Sequence, residues 1–434
     1  MKEIKCEFKK QSRLGKGRAF LIFRDTPIID FTREITGLCL KNYAYDPQCE
    51  GDRSEYAMQF LRELPNKQRQ KVIEAVRTHL ATDEISDSWD FDHFCTVAAK
   101  ISLEFDATIG ELLRKRYTES DDDTISRKFP ERSLLRLDGF DGLVAVARRK
   151  GAAFRIHKDW SEDDSLFYDV PKMEDDEAHR RLESVAETDA DVRSYLERIS
   201  KTEESAEQYR SEREKNEPES NFEKVKQLIA KSKRVPPSCA QKLTPDELSY
   251  FARELRKTKT QAKRMNYFKL FSSYNKTKYP DDFHDLLAML SPRKNCLYNE
   301  RLIDSLSFFS APELRVLAEK ALDSDSYGIF YLSLLKKNYH EDDSARIAKR
   351  IRKVNDYEDS HYDLQDILKI YDENINADCL EPLRLIYENT PCGLCRQYAT
   401  EIMEKAGILP DDIKEELPFD SYSLDLERYE EEKA

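Results

Sequence analysis

Glycine is scarce in this sequence, at 11 of 434 residues. Sheets with tight turns use glycine where the backbone needs a positive φ, so the shortage argues against a sheet protein. Charged residues make up 36% of the chain and apolar residues 39%, a balance that suits exposed amphipathic helices. We therefore expect an all-α protein.

Long apolar runs are also missing. The sequence contains no stretch of about 18 apolar residues, which is the length that a membrane span needs. Its first twenty residues also lack the apolar centre of a secretion signal. The nine cysteines are odd in number and scattered, as in reduced intracellular proteins rather than disulfide frameworks. These features predict a cytoplasmic protein that does not contact a membrane.

The familiar catalytic motifs are absent as well. Neither HExxH nor GxSxG occurs, and Gly15 with Gly17 forms only a GxG, without the other residues of a phosphate-binding loop. The seven histidines are dispersed, and no four-ligand zinc spacing appears. The sequence therefore predicts no metal, no cofactor and no catalytic residue, and it favours a non-enzymatic protein.

Apolar residues recur instead at helical spacing along most of the chain, for example Leu394, Tyr398 and Ile402. Capping boxes are predicted where Asp52, Thr244 and Ser310 each precede a glutamate by three residues. The first 25 residues differ, because apolar and charged residues alternate there. That alternation is compatible with a small N-terminal β-hairpin.

These patterns divide the chain into five segments. They are a possible β-hairpin at residues 1–25, a helical segment at 26–157, an acidic helical or flexible connector at 158–220, a helical-repeat array with a basic start at 221–422, and an acidic tail at 423–434.

Short helix pairs start near residues 312, 342 and 378, an imperfect period of 30 to 36 residues. Together with the closing unit ENTPCGLCRQYATEIMEKAGILPDDIKEEL and the segment NYAYDPQCEGDRSEYAMQFLREL at 42–64, this pattern resembles HEAT and armadillo repeats, including uncharacterised bacterial HEAT-like proteins. The resemblance implies an irregular α-solenoid of stacked helix pairs with a binding face and no catalytic centre. Whether the array continues across 158–220 is left open.

Charge changes sign abruptly along the chain. Residues 161–220 carry 20 acidic and 9 basic side chains, whereas residues 221–280 carry 4 acidic and 15 basic ones. We take this basic window as a candidate surface for a protein partner or a nucleic acid. The alternative is an amphipathic core helix with a solvated basic face. The candidate binding residues are Arg253, Arg256, Lys259, Lys263, Arg264 and Lys269.

Cys392 is a candidate reactive thiol, because a CxxC at a helix N-terminus favours thiolate formation. Cys395 lies on the apolar stripe, so packing of both thiols is the simpler interpretation.

From the sequence as a whole we expect an interaction scaffold that binds a protein partner through a basic surface. A nucleic-acid-binding solenoid and a thiol-dependent enzyme are the alternatives, and the oligomeric state is left open.

Overall fold

The chain is seen here in a computed structural model, which describes residues 1–82, 87–121, 131–215, 220–354 and 361–424. Regular structure in these residues is helical, and none of them forms a β-strand, so the all-α prediction is confirmed. None of the helices in the described ranges has both the length and the apolar character needed to cross a bilayer. Most of the predicted acidic tail, from residue 425 on, lies outside the described residues.

The helices of the first half are short and joined by short turns. They are α1 (Lys2–Leu14), α2 (Gly17–Asp25), α3 (Thr32–Leu40), α4 (Pro47–Glu50), α5 (Ser54–Glu63), α6 (Asn66–Leu80), α7 (Ser88–Glu104), α8 (Ala107–Glu119), α9 (Glu131–Asp138), α10 (Phe140–Ile156), a 3₁₀ helix (Ser165–Asp169), α11 (Asp175–Ala186) and α12 (Ala190–Lys215).

The second half follows the same pattern. Its helices are α13 (Asn221–Ala230), α14 (Pro237–Ala240), α15 (Pro245–Lys257), α16 (Gln261–Leu270), α17 (His284–Leu287), α18 (Leu297–Leu306), α19 (Pro312–Asp323), a 3₁₀ helix (Ile329–Lys336), α20 (Asp343–Ile351), α21 (His361–Glu373), a 3₁₀ helix (Ala377–Cys379), α22 (Leu380–Asn389), α23 (Gly393–Lys405), α24 (Asp411–Glu416) and a 3₁₀ helix (Leu417–Phe419).

The predicted N-terminal β-hairpin is wrong, because residues 2–25 form α1 and α2. Ile4 and Phe8 alternate with charged residues, but they are also four residues apart, and buried Ser12 extends the same helical face. Gly15 adopts φ 76° and ends α1, with its N–H donating to the carbonyl of Ser12 over 3.1 Å. The glycine therefore serves a helix C-terminus rather than a strand turn.

Contacts group the chain into two compact units. Unit 1 contains the described residues of Met1–Glu212, Pro391–Gly393 and Asp411–Ala434, and unit 2 those of Arg213–Thr390 and Leu394–Pro410. Unit 1 is therefore discontinuous in sequence.

The core of unit 1 is rich in aromatic side chains. The ring of Phe8 lies 4.3 Å from that of Phe31 and 5.5 Å from that of Phe60, measured between centroids. The late segment containing α24 packs on α2, where the rings of Phe20 and Phe419 stack at 4.5 Å. The N–H of Ser421 donates to the carbonyl of Gly15 over 2.8 Å. Residues after 410 thus complete the core around α1 and α2.

Unit 2 contains one series of helices linked by ionic contacts. Arg256 of α15 pairs with Asp285 of α17, and His284 of α17 faces Glu313 of α19. The same series continues to α20 and α22 through the pairs Arg315 with Asp343 and Arg352 with Glu381. The partners in each pair are 28 or 29 residues apart. These contacts recur at nearly constant sequence separation.

A second series in unit 2 packs through its side chains in the same order. It consists of α16, α18, the 3₁₀ helix Ile329–Lys336, and α21. Asn299 of α18 donates to the hydroxyl of Tyr331 over 2.9 Å, and Lys336 lies 3.5 Å from the carboxylate of Asp366 on α21. Lys405 of α23 donates in turn to Asp372 of α21 over 3.4 Å. The four elements begin at residues 261, 297, 329 and 361, and α23, which follows them, begins at 393.

Candidate partner-binding surface

The basic window begins with a well-defined helix. Thr244 caps α15, since its hydroxyl accepts from the N–H of Glu247 and the carboxylate of Glu247 accepts from the N–H of Thr244 over 2.8 Å. This confirms the capping box predicted there. Phe251 and Leu255 are buried on the inner face, which leaves Arg253 on the solvent side.

The six predicted basic residues fall into two groups. Arg253, Lys259 and Lys263 are exposed and Lys269 is half-buried, and no acidic side chain of the described residues lies within 4.0 Å of any of the four. Arg256 and Arg264 are engaged within the protein. Four of the six side chains therefore keep their charge available to a partner.

Arg256 has a structural role. Its guanidinium contacts the carboxylates of Asp281 and Asp285, the latter over 2.8 Å, and the hydroxyl of Tyr279 over 3.2 Å. The hydrogen bonds that Arg256 donates to Asp285 and Asp281 raise the pKa of Arg256 further above its ordinary value. Arg264 similarly donates from Nε to the carbonyl of Thr258 over 2.7 Å, at the end of α15. Both arginines hold α15 in place.

Arginines further along unit 2 are used in the same way as Arg256. Arg315, Arg346, Arg350 and Arg352 each pair with a carboxylate on another segment of the unit. The concentration of exposed, unpaired cations around α15 and α16 is thus not explained by helix packing.

A further basic run lies beside α16 in space. Asn266 of α16 donates from Nδ2 to the hydroxyl of Ser232 over 3.0 Å and to the carbonyl of Ile229 over 3.4 Å. These contacts hold the loop after α13 against α16, and its side chains Lys231 and Lys233 are exposed. This loop is not among the predicted binding residues, although its run Lys-Ser-Lys-Arg at 231–234 is a signal visible in the sequence.

The aromatic residues of the window are mostly unavailable for stacking on nucleic-acid bases. Phe268 and Phe271 are buried, and Tyr267 is half-buried. Tyr274 is 54% exposed, but the guanidinium of Arg234 covers its ring at 3.8 Å. Stacking platforms need open aromatic faces, so this surface offers charge rather than base recognition.

Cys392 is buried rather than poised at the surface, with 3% of its area exposed. Helix α23 begins at Gly393, two residues after the start predicted from Pro391. The N–H of Gly393 donates to the carboxylate of Glu50 over 3.1 Å, and Glu50 also pairs with Arg53 at 2.9 Å. A carboxylate already occupies this helix start, which weakens the case for thiolate stabilisation by the helix dipole.

Cys39, Cys95 and Cys379 are buried thiols that pack inside the protein. Burial raises the pKa of Cys39 to about 12 and also raises the pKa of Cys95 and Cys379. The sulfur of Cys395 lies 3.7 Å from Nδ1 of His361, a neighbour that the sequence analysis did not identify. Cys395 and His361 are 34 residues apart, so the local spacing of residues in the sequence could not predict this contact. It joins α21, the last element of the second series of unit 2, to α23, which follows that series.

Comparison with known proteins adds no assignment, because no protein family, no curated protein and no solved structure matches the chain.

Proposed function

We propose that this protein is a non-enzymatic interaction scaffold whose unit 2 is a HEAT-like array of stacked helix pairs. The recurrence of ionic contacts at 28 or 29 residues and the regular helix starts from 297 to 393 support this arrangement. Repeat arrays of this kind bury their apolar stripes between neighbouring units and use the remaining surface for binding.

We propose further that α15, α16 and the loop at 231–234 bind an acidic segment of a protein partner. The observation that carries the proposal is the contrast within unit 2 between paired arginines and the unpaired cations Arg253, Lys259, Lys263 and Lys269. α15 and α16 pack on each other, and the repulsion between like charges on neighbouring helices is offset by a complementary acidic surface.

The test is fluorescence anisotropy with two labelled probes, an acidic peptide and a single-stranded oligonucleotide of equal net charge. We expect the full chain to bind the peptide, and replacement of the four unpaired cations by alanine to weaken binding by about tenfold or more. For Lys259→Ala with Lys263→Ala, the charge-matched control is Lys320→Ala with Lys349→Ala, two exposed lysines on α19 and α20. The control pair should bind as the unchanged protein does.

The oligonucleotide probe tests the alternative function, nucleic-acid binding. Tighter binding of the oligonucleotide, with an affinity that falls steeply between about 50 and 200 mM salt, would favour a nucleic-acid-binding solenoid. If neither probe binds, or if the control pair weakens binding as much as Lys259→Ala with Lys263→Ala, the basic surface is not the binding site.

A further inference from the structure

A cavity of about 290 Å³ lies in unit 1, outside the surfaces considered so far. It is bounded by α1, α3 and the residues just after α3. Its volume is near the lower end of the range for small-molecule sites in proteins. Its walls combine charged, hydroxyl and glycine positions, so a polar ligand suits it better than an apolar one.

The cavity is positively charged. Lys9 and Arg13 lie one turn apart on α1, and Arg33 faces the same space from α3, whereas Glu34 is the one acidic side chain in the lining. Within the described ranges, no carboxylate comes within 4.0 Å of any of these three cations. Three cations against one carboxylate leave a net charge near +2, which a dianion would neutralise.

The type of anion follows from the side chains. Two guanidiniums and an ammonium suit phosphate oxygens, because arginine offers a planar pair of donors and lysine a compact charge. A phosphate monoester carries about −1.5 to −2 at pH 7, which matches the cavity. The guanidinium of Arg13 also rests over the ring of Tyr43 at 5.1 Å, which fixes one wall.

Glu34 adds a requirement for a donor on the ligand. Its oxygen Oε2 is buried and accepts no hydrogen bond, which is costly for a carboxylate. Glu34 also lines the cavity, so a hydroxyl group on the ligand, close to the phosphate, can donate to its carboxylate.

We propose that this cavity binds a small phosphate monoester that carries a neighbouring hydroxyl group. Arg13, Arg33 and Lys9 contact the phosphate, and Glu34 accepts from the hydroxyl. Gly37 lines the cavity and keeps it open because it has no side chain. A Cβ at this position would lie 4.0 Å from Oη of Tyr43, so a methyl group fits, whereas a larger side chain would extend into the cavity.

The proposal is tested by calorimetric titration of the full chain at low salt with glycerol 3-phosphate, inorganic phosphate and glycerol. We expect one site for glycerol 3-phosphate, weaker binding of inorganic phosphate and none of glycerol. Arg33→Ala should weaken glycerol 3-phosphate by about 10- to 100-fold, as expected for losing a hydrogen bond to a charged group. Glu34→Ala should remove the preference for glycerol 3-phosphate over inorganic phosphate.

Two further variants keep the result interpretable. Arg18→Ala removes an exposed arginine of α2 outside the cavity and should leave binding unchanged. Gly37→Leu should abolish binding by filling the space while the thermal transition shows that the chain remains folded. The proposal is overturned if neither phosphate binds saturably, or if Arg33→Ala and Gly37→Leu bind as tightly as the unchanged chain.

Discussion

Replacing Arg315 by leucine tests the ionic series of unit 2 at its most buried member. Asp343 is fully buried, Arg315 is 13% exposed, and Nη2 of Arg315 lies 2.8 Å from Oδ1 of Asp343. The N–H of His340 donates to the same carboxylate over 2.9 Å, and Nη1 of Arg346 lies 3.6 Å from Oδ1 of Asp343. Removing Arg315 leaves the buried carboxylate of Asp343 with only the longer contact to Arg346, so we expect a loss of about 3 kcal/mol in the free energy of unfolding, at the low end of the range for breaking a buried pair.

The matched control is Arg352→Leu, which breaks the pair with Glu381 in the same series. Those side chains are 53% and 49% exposed, so the expected loss is about 0–1 kcal/mol. Urea denaturation followed by circular dichroism gives both values, and hydrogen exchange in α19 and α20 localises the effect. Asp343→Asn added to Arg315→Leu should recover part of the loss. Equal losses for Arg315→Leu and Arg352→Leu, or no recovery with asparagine, would refute the reasoning.

Four other substitutions have outcomes that thermal or urea denaturation can check. Gly151→Ala should destabilise the protein by about 1–3 kcal/mol, because the new Cβ would lie 1.8 Å from the carbonyl oxygen of Asp191. Gly37→Ala should stabilise it by about 0.4–1 kcal/mol, because the new Cβ enters open space. Burial raises the pKa of Asp363 to about 7, so the folded protein loses stability as pH rises from about 4 to 7. Asp363→Asn should therefore stabilise increasingly over that range and level off above it. Thr244→Ala should cost about 1 kcal/mol through loss of the α15 cap.

Destabilisation by Gly37→Ala would mean that the space beside Gly37 is not open. Stabilisation by Gly151→Ala would mean that the α10 backbone does not approach Asp191 as closely as the structure shows. A stability gain from Asp363→Asn that is the same at pH 4 and pH 8 would mean that the carboxyl does not titrate near neutrality. An unchanged unfolding midpoint for Thr244→Ala would show that the α15 cap contributes nothing.

The fold class was predictable because helical periodicity is a local property. The predicted starts near 312, 342 and 378 correspond to helices that begin at 312, 343 and 380. The secondary-structure predictions fail where one sequence pattern fits both a strand and a helix, as in residues 2–25, or where a helix begins at a different residue from the one predicted. The capping boxes predicted at Asp52 and Ser310 do not form, because α5 and α19 each begin one residue later than predicted. The N–H of Ala311 donates to Oδ1 of the distant Asn338 over 2.9 Å.

The candidate surface was predictable in composition but not in detail. Charge counting located the basic window, yet it could not show that Arg256 is neutralised by Asp281 and Asp285, which lie 25 and 29 residues further on. It also could not bring the loop at 231–234 beside α16, because that neighbourhood depends on the side chain of Asn266. Pairing between helices decides which charges remain free, and sequence spacing does not record it.

The discontinuity of unit 1 has a consequence for synthesis on the ribosome. The partner of Phe20 in the core, Phe419, is translated only after the whole of unit 2. At roughly 5–20 residues per second, the stretch of about 400 residues between Phe20 and Phe419 takes on the order of 20–80 s to be translated. During that interval the apolar side of α2 lacks its cover and is open to chaperones or to aggregation, while unit 2 can already fold. The order of translation thus makes the first helices the last to be completed.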